Sequence, residues 1–210
     1  MVIIMIKNII FDFGNVLINF DEEYMTSRFV EDSEEIKIIK DVVFDRLYFD
    51  RLDRGNISDE EIKEDFKRRL PENLYNKACL VFDRWEENIP DKDGMRQIVK
   101  KLHKSGYKLF ILSNISSRFA DNYNKIPNVS SLFEMFDGFV FSAKTGFVKP
   151  QKEIFDFLTD KYSLEKSECL FIDDSKKNTD GAKAAGIAAY LFDGDALKLE
   201  NYLKEKKILE

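Results

Sequence analysis

The sequence predicts an α/β protein: a doubly wound, Rossmann-like parallel sheet with an inserted helical cap. Three observations predict it. Short apolar runs recur along the chain, most of them closing on an acid or another polar residue. Helix-like segments of roughly ten to fifteen residues separate the later runs, as the crossovers of parallel strands require. Between about residues 20 and 88 this rhythm stops, and a highly charged, helix-rich stretch without a clear strand takes its place.

The first run, NIIFDF at 8–13, is continuous rather than alternating, as expected of a strand covered on both faces. The residues before it extend the run to VIIMIKNIIF, with Met5 as an alternative start. That stretch is too short to span a bilayer, is interrupted by Lys7 and Asn8, and has no small-residue cleavage site behind it. A strand of a cytoplasmic protein is expected. In the insertion, apolar residues at helical spacing in EEIKIIKDVVFDRLYF and SDEEIKEDFKRRL predict several amphipathic helices, and RGNISDEE supplies a turn and an N-cap at Ser58. Residues 91–106, DKDGMRQIVKKLHKSG, predict a helix with acids at its start and Gly106 at its end.

That helix feeds the second run, YKLFILS at 107–113, and the third follows as FDGFVFSA at 136–143. The helical pattern PQKEIFDFLTDKY precedes the fourth run, ECLFIDD at 168–174, and NTDGAKAAG precedes the fifth, AAYLFD at 188–193. GDALKLENYLKEKK, acidic at its start and basic at its end, closes the chain as an amphipathic helix on the sheet. The organisation expected is an α/β core of 1–19 and 89–210, interrupted by a helical cap at 20–88.

Composition excludes several classes of function. The chain has 210 residues, enough for one domain with a modest insertion, and its 33 basic against 39 acidic residues show no basic stripe suited to nucleic acid. The 19 Phe are scattered through apolar patterns and read as core. Cys79 and Cys169 sit far apart in apolar settings, as buried thiols of a reducing compartment do. His103 is the single histidine and lies in the polar helical segment KKLHKSG, so acid–base or metal chemistry must rest mainly on carboxylates.

In a doubly wound sheet the carboxyl ends of the strands share one edge, where ligands bind. Asp12 lies there after the first run, Ser113 and Asn114 after the second, Lys149 in the loop after the third, and Asp173 with Asp174 after the fourth. Each has an ordinary reading alone, as a turn acid, a cap or a solvated lysine. Together they suit phosphoryl transfer. Asp12, Asp174 and a backbone carbonyl near Gly14 offer the oxygen ligands that Mg²⁺ prefers, and Asp12 can attack phosphorus to give an aspartyl-phosphate. Ser113 and the N–H groups of Phe13 and Gly14 would hold phosphate oxygens, with Lys149 offsetting their charge.

The chain resembles the haloacid dehalogenase superfamily of phosphatases. FDFGNVL is similar to its first motif, LSN to its second, the Lys-Pro of GFVKP to its third and FIDDS to its fourth, in order and across almost the whole chain. The insertion resembles the helical cap that follows the first motif in one subclass. The resemblance implies that Asp12 is nucleophile and metal ligand, Ser113 the phosphate-binding hydroxyl, Lys149 the charge stabiliser, and Asp174 with Asp173 the Mg²⁺ anchor. It gives Asn114 a part in orienting phosphate or substrate. The Gly14–Asn15 opening and RGNIS at 54–58 resemble the branch that includes sugar-1-phosphate phosphatases, which makes a small phosphorylated metabolite such as a hexose 1-phosphate the expected substrate. Specificity is then expected among cap residues 44–58, with the cap excluding water from the site.

One departure stands out. Family phosphatases mostly carry a second Asp two residues after the nucleophile, as proton donor to the leaving alcohol, and here that position is Gly14. Asp21, at the entrance to the cap, is the nearest acid in sequence and the candidate to replace it. The other outcomes are a slow enzyme suited to good leaving groups or a silent phosphate-ligand binder. A phosphoglucomutase-type phosphotransferase is the alternative enzyme and suffers more from the missing acid, while a dehalogenase leaves the Asp173–Asp174 pair unexplained.

Overall fold

In the computed structural model, residues 5–87 and 89–210 are described, and the first strand, β1, is Asn8–Phe11. Residues 1–4 of the N-terminal run lie outside the described residues. Among the described residues, five helices of the insertion follow β1: α1 (Glu22–Ser27), α2 (Ser33–Val43), α3 (Arg46–Asp53), α4 (Asp59–Arg69) and α5 (Glu72–Arg84). Then α6 (Met95–Lys104) leads into β2 (Lys108–Ser113), and α7 (Ser117–Asn122) and α8 (Pro127–Phe133) lead into β3 (Gly138–Phe141). The chain closes with α9 (Lys152–Tyr162), β4 (Cys169–Asp173), α10 (Lys176–Ala184), β5 (Ala188–Leu191) and α11 (Ala196–Glu205).

The five strands form one parallel sheet in the order β3-β2-β1-β4-β5, so the chain leaves the central β1 first to one side and then to the other. That reversal opens a crevice at the carboxyl ends of β1, β2 and β4. Alternate side chains face opposite ways. Ile9, Phe11, Ile111 and Ile172 pack with α6, α8 and α11, in a core that continues into the five-helix insertion. Ile10, Leu112 and Phe171 pack against Ile154, Phe155 and Leu158 of α9 and Ala182 of α10. Burial on both faces is why β1, β2 and β4 read as unbroken apolar runs.

The helix expected at 91–106 begins later, at Met95. Gly94 turns the backbone left-handed at φ 77° just ahead of it, and Asp91 faces Arg96 instead of sitting in the first turn. In the insertion, Ser58 and Glu61 form a reciprocal capping box on α4, as the sequence suggested. Asp45 breaks α2 from α3 by accepting a hydrogen bond from the Leu47 N–H at 2.9 Å. Phe20, Phe44, Phe49 and Trp85 cluster edge to face, with Phe20 and Trp85 centroids 5.4 Å apart.

The turn after α3 seats the insertion on the core. Gly55 there has φ +67°, and a Cβ on it would lie 2.7 Å from the carbonyl oxygen of Ala143, in the turn after β3. Only glycine meets both demands, the left-handed backbone and the close approach. No described helix is long and apolar enough to cross a membrane.

Candidate active site

Asp12 follows β1 directly, and its N–H donates to the Ile172 carbonyl at 2.9 Å, which carries the sheet ladder up to the carboxylate. Its Oδ1 accepts from the Phe13 N–H at 2.7 Å and from Lys149 Nζ at 2.7 Å. Lys149, with its side chain 1% exposed, bridges to Asp173 Oδ2 at 2.8 Å. Asp173 is the last residue of β4 and fully buried; its Oδ1 also accepts from the Ser175 N–H at 2.8 Å and from Asn178 Nδ2 at 3.1 Å. Asp174 follows it and is exposed to the cavity.

Two features hold the lysine in place. The Asn114 carboxamide, which lines the cavity, clamps the Lys149 backbone: its Oδ1 accepts from the Lys149 N–H at 2.8 Å and its Nδ2 donates to the Lys149 carbonyl at 3.2 Å. Behind the lysine, Pro150 presses so closely on α10 that a Cβ at Gly181 would lie 2.6 Å from it. A buried ammonium fixed from both sides is a positioned charge rather than a solvated one.

The electrostatics follow from three carboxylates around one ammonium. Burial pushes the Asp12 carboxyl up to about 7 against the pull of Lys149, and Asp173 and Asp174 push the same way. Burial opposes the charge on Lys149, but Asp12 and Asp173 outweigh it and raise the lysine above its ordinary value. Asp174 is raised by burial and by Asp173. One ligand atom each from Asp12, Asp173 and Asp174 lies within 4.8 Å of the others, so an oxygen-preferring divalent cation fits the donor set and its excess negative charge.

The cluster opens into a cavity of about 340 Å³, lined on the sheet side by Asp12, Phe13, Gly14, Ser113, Asn114, Lys149 and Asp174. The sequence motifs therefore converge. Asp21 does not join them: it caps α1, accepting from the Tyr24 N–H at 2.9 Å, and lies outside the cavity lining. Its place immediately before Glu22, the first residue of α1, serves a helix start.

Across the cavity stand residues that sequence reasoning did not single out: Arg46, Phe49, Asp50 and Asp53 of α3, Asp59 of α4, and Trp85. Burial pushes the Asp53 carboxyl up to about 7 despite the Lys149 ammonium, and Asp50 adds to the rise. Arg118 of α7 also lines the cavity, but its guanidinium is engaged by Asp59 at 3.1 Å, by Asp83 at 3.4 Å and by the Phe82 carbonyl. One further missed residue had a signal in the sequence: Asn178 stands five positions after Asp173, in the first turn of α10. Asn15, after Gly14, holds φ 56°, a conformation that asparagine tolerates.

The chain is similar to known proteins. A family model described as haloacid dehalogenase-like hydrolase matches residues 6–186. The D-ribitol-5-phosphate phosphatase of Bacteroides thetaiotaomicron is 29% identical over 195 residues, covering 89% of this chain and 91% of that protein. A predicted haloacid dehalogenase-like hydrolase from Porphyromonas gingivalis superposes with a TM-score of 0.68 at 23% identity, over 96% of this chain and 98% of that one. A Bacteroides thetaiotaomicron enzyme of the same family, in complex with magnesium and inorganic phosphate, gives a TM-score of 0.60 at 22% identity, over 88% and 93%.

Proposed function

Since the chain belongs to the haloacid dehalogenase-like hydrolases, we propose that it is a Mg²⁺-dependent phosphatase of a sugar or polyol phosphate, working through an aspartyl-phosphate on Asp12. The observation that carries this reading is the cluster itself: Asp12 beside a fully buried Lys149–Asp173 pair, with Asp174 within 4.8 Å, at the floor of the cavity. Dehalogenation needs the Asp nucleophile but leaves the three-carboxylate cluster without a purpose. Cys79 and Cys169, both free thiols, fit a cytoplasmic setting.

Asp12, Asp174 and the Gly14 carbonyl would hold the cation, with Asp173 in reach of it. When bound, Mg²⁺ keeps the carboxylates ionised and draws charge from the phosphoryl oxygens. The residues of the chain do the rest. Ser113 and the N–H groups after Asp12 receive phosphate oxygens, Lys149 offsets their charge, and Asp173 with Asn114 keeps Lys149 in place. Residues 20–88 act as the cap over a core of 1–19 and 89–210, and their closure excludes water.

The cap wall supports a polyhydroxylated leaving group. Asp50, Asp53 and Asp59 accept hydrogen bonds from hydroxyls, while Phe20, Phe49 and Trp85 offer apolar faces to C–H edges. A substrate with a second anionic group would meet these carboxylates, and Arg118 is already engaged. The test is a screen of sugar, polyol and two-carbon acid phosphates, with Mg²⁺ and with chelator, alongside Asp12→Asn. Turnover of a polyol or sugar phosphate that needs Mg²⁺ and Asp12 is expected. Turnover that survives either chelation or Asp12→Asn overturns the reading, and a preference for carboxylate-bearing phosphates overturns the substrate class.

A further inference from the structure

We propose that Asp53, at the last turn of α3, is the proton-transfer residue of this enzyme, supplied across the cavity by the helical insertion in place of the acid missing at Gly14; the inference rests on the phosphatase reading above.

The space is there to be served. Gly14 lines the cavity, and a Cβ built on it meets nothing within 4 Å, so the position two residues after the nucleophile is open rather than filled by another group. The acids lining the cavity are Asp12, Asp174, Asp50, Asp53 and Asp59. Asp12 and Asp174 belong to the three-carboxylate cluster, Asp59 is paired with Arg118 at 3.1 Å, and Asp50 is exposed. Asp53 is half-buried and close enough for Lys149 to be the strongest charge acting on it.

Its position is also fixed. Gly55, two residues on, brings the end of α3 against the Ala143 carbonyl of the core, an approach that leaves no room for a Cβ. A carboxyl held by a backbone contact to the core can meet the geometric demand of proton transfer, although it comes from the insertion. Burial also raises its carboxyl to about 7, which populates both protonation states near neutral pH.

The chemistry balances in two steps. An Asp12 oxygen bonds to phosphorus while the ester P–O bond breaks, its electron pair stays on the leaving oxygen, and that oxygen takes the Asp53 proton to leave as an alcohol. Water then bonds to phosphorus and gives its proton to the Asp53 carboxylate, and the pair of the breaking P–O bond returns to Asp12 as inorganic phosphate departs. Asp53 ends protonated, as it began.

The experiment compares leaving groups. In Asp53→Asn, kcat/KM for a polyol or sugar phosphate is expected to fall about 10²- to 10⁴-fold. With p-nitrophenyl phosphate, whose leaving group needs no proton, the same variant should release a near-stoichiometric burst of nitrophenolate at close to the wild-type rate and then turn over slowly. Gly14→Asp added to Asp53→Asn should recover part of the alkyl-phosphate rate. Asp53→Ala carries the same expectations should the Asn variant not fold. Alkyl-phosphate turnover within about threefold of wild type, or an equal loss of alkyl rate and aryl burst, overturns the assignment. Failure of the phosphatase reading would show differently, as a wild-type protein that cleaves no phosphomonoester.

Discussion

The two walls of the cavity are built on opposite plans. On the sheet side the functional groups sit at strand ends or, for Lys149, in the loop after β3, and the buried pair is held several times over: Lys149 by two carboxylates and the Asn114 clamp, Asp173 by an ammonium, a backbone N–H and Asn178. On the helical side Arg46 and Asp50 are exposed on an eight-residue helix, and the seat of that helix on the core includes a single left-handed glycine. A rigid, buried edge suits chemistry that must not vary between substrates. The exposed outer part of the helical wall, where Arg46 and Asp50 stand, suits recognition, while its inner end at Asp53 is held against the core beside Gly55.

The largest effects should come from the rigid wall. Asp12→Asn should reduce turnover by on the order of 10⁴-fold or more, as loss of a nucleophile does, while melting within a few degrees of wild type; ordinary kinetics with phosphate release measure it. Lys149→Met should harm the fold as well as the chemistry. It leaves Asp12 and Asp173 buried around an apolar side chain, and breaking such a site costs about 3–5 kcal/mol. Denaturant unfolding reads this directly. A Lys149→Met protein as stable as wild type would show that the buried pair is not what holds the edge together.

The two walls also differ in how far the sequence reveals them. Asp12, Ser113, Asp173 and Asp174 were legible because each closes an apolar run, and Lys149 because it lies in the loop after one, while parallel strands bring all their ends to one edge. Residues 44–58 were legible only as a region. Asp50 and Asp53 stand three apart on one charged helix with nothing local to separate them, and what distinguishes Asp53 is a contact between Gly55 and Ala143, 88 positions further on. Asp21 misled for the complementary reason: nearness in sequence to Asp12 says little once a helix begins there. The Asn114 clamp was hidden because its partner is the backbone of the Lys149 loop.

If the Gly55 contact positions the helical wall, disturbing it should affect one side alone. Gly55→Ala places a methyl against the Ala143 carbonyl at a left-handed φ, which costs roughly 1–2 kcal/mol of backbone strain and shifts the end of α3. An ångström of misplacement is worth about 10²-fold in rate. The expected result is a fall of that order in kcat/KM for the preferred sugar or polyol phosphate, with Mg²⁺ dependence unchanged. An equal loss of Mg²⁺ affinity and activity would show instead that the two walls are mechanically one.

The smallest effect should come from the outer end of α3, where Asp45 caps the helix and Arg69 of α4 reaches its Oδ2 at 2.7 Å. The Leu47 N–H first, and then Arg69 against some burial, hold the Asp45 carboxyl below its ordinary range. A carboxyl depressed by folding stabilises the fold in full above its unfolded pKa, near 3.9, and loses that contribution as pH falls through the lower folded value. Asp45→Ala should therefore cost about 0.5–2 kcal/mol at neutral pH, as loss of a helix cap does. The gap between the two melting temperatures should narrow as the pH drops below about 4. A gap that stays constant through that range would place the contribution of Asp45 in packing rather than in its charge. A phosphatase rate that falls together with stability at neutral pH would extend the positioning role of α3 from its inner end to its whole length.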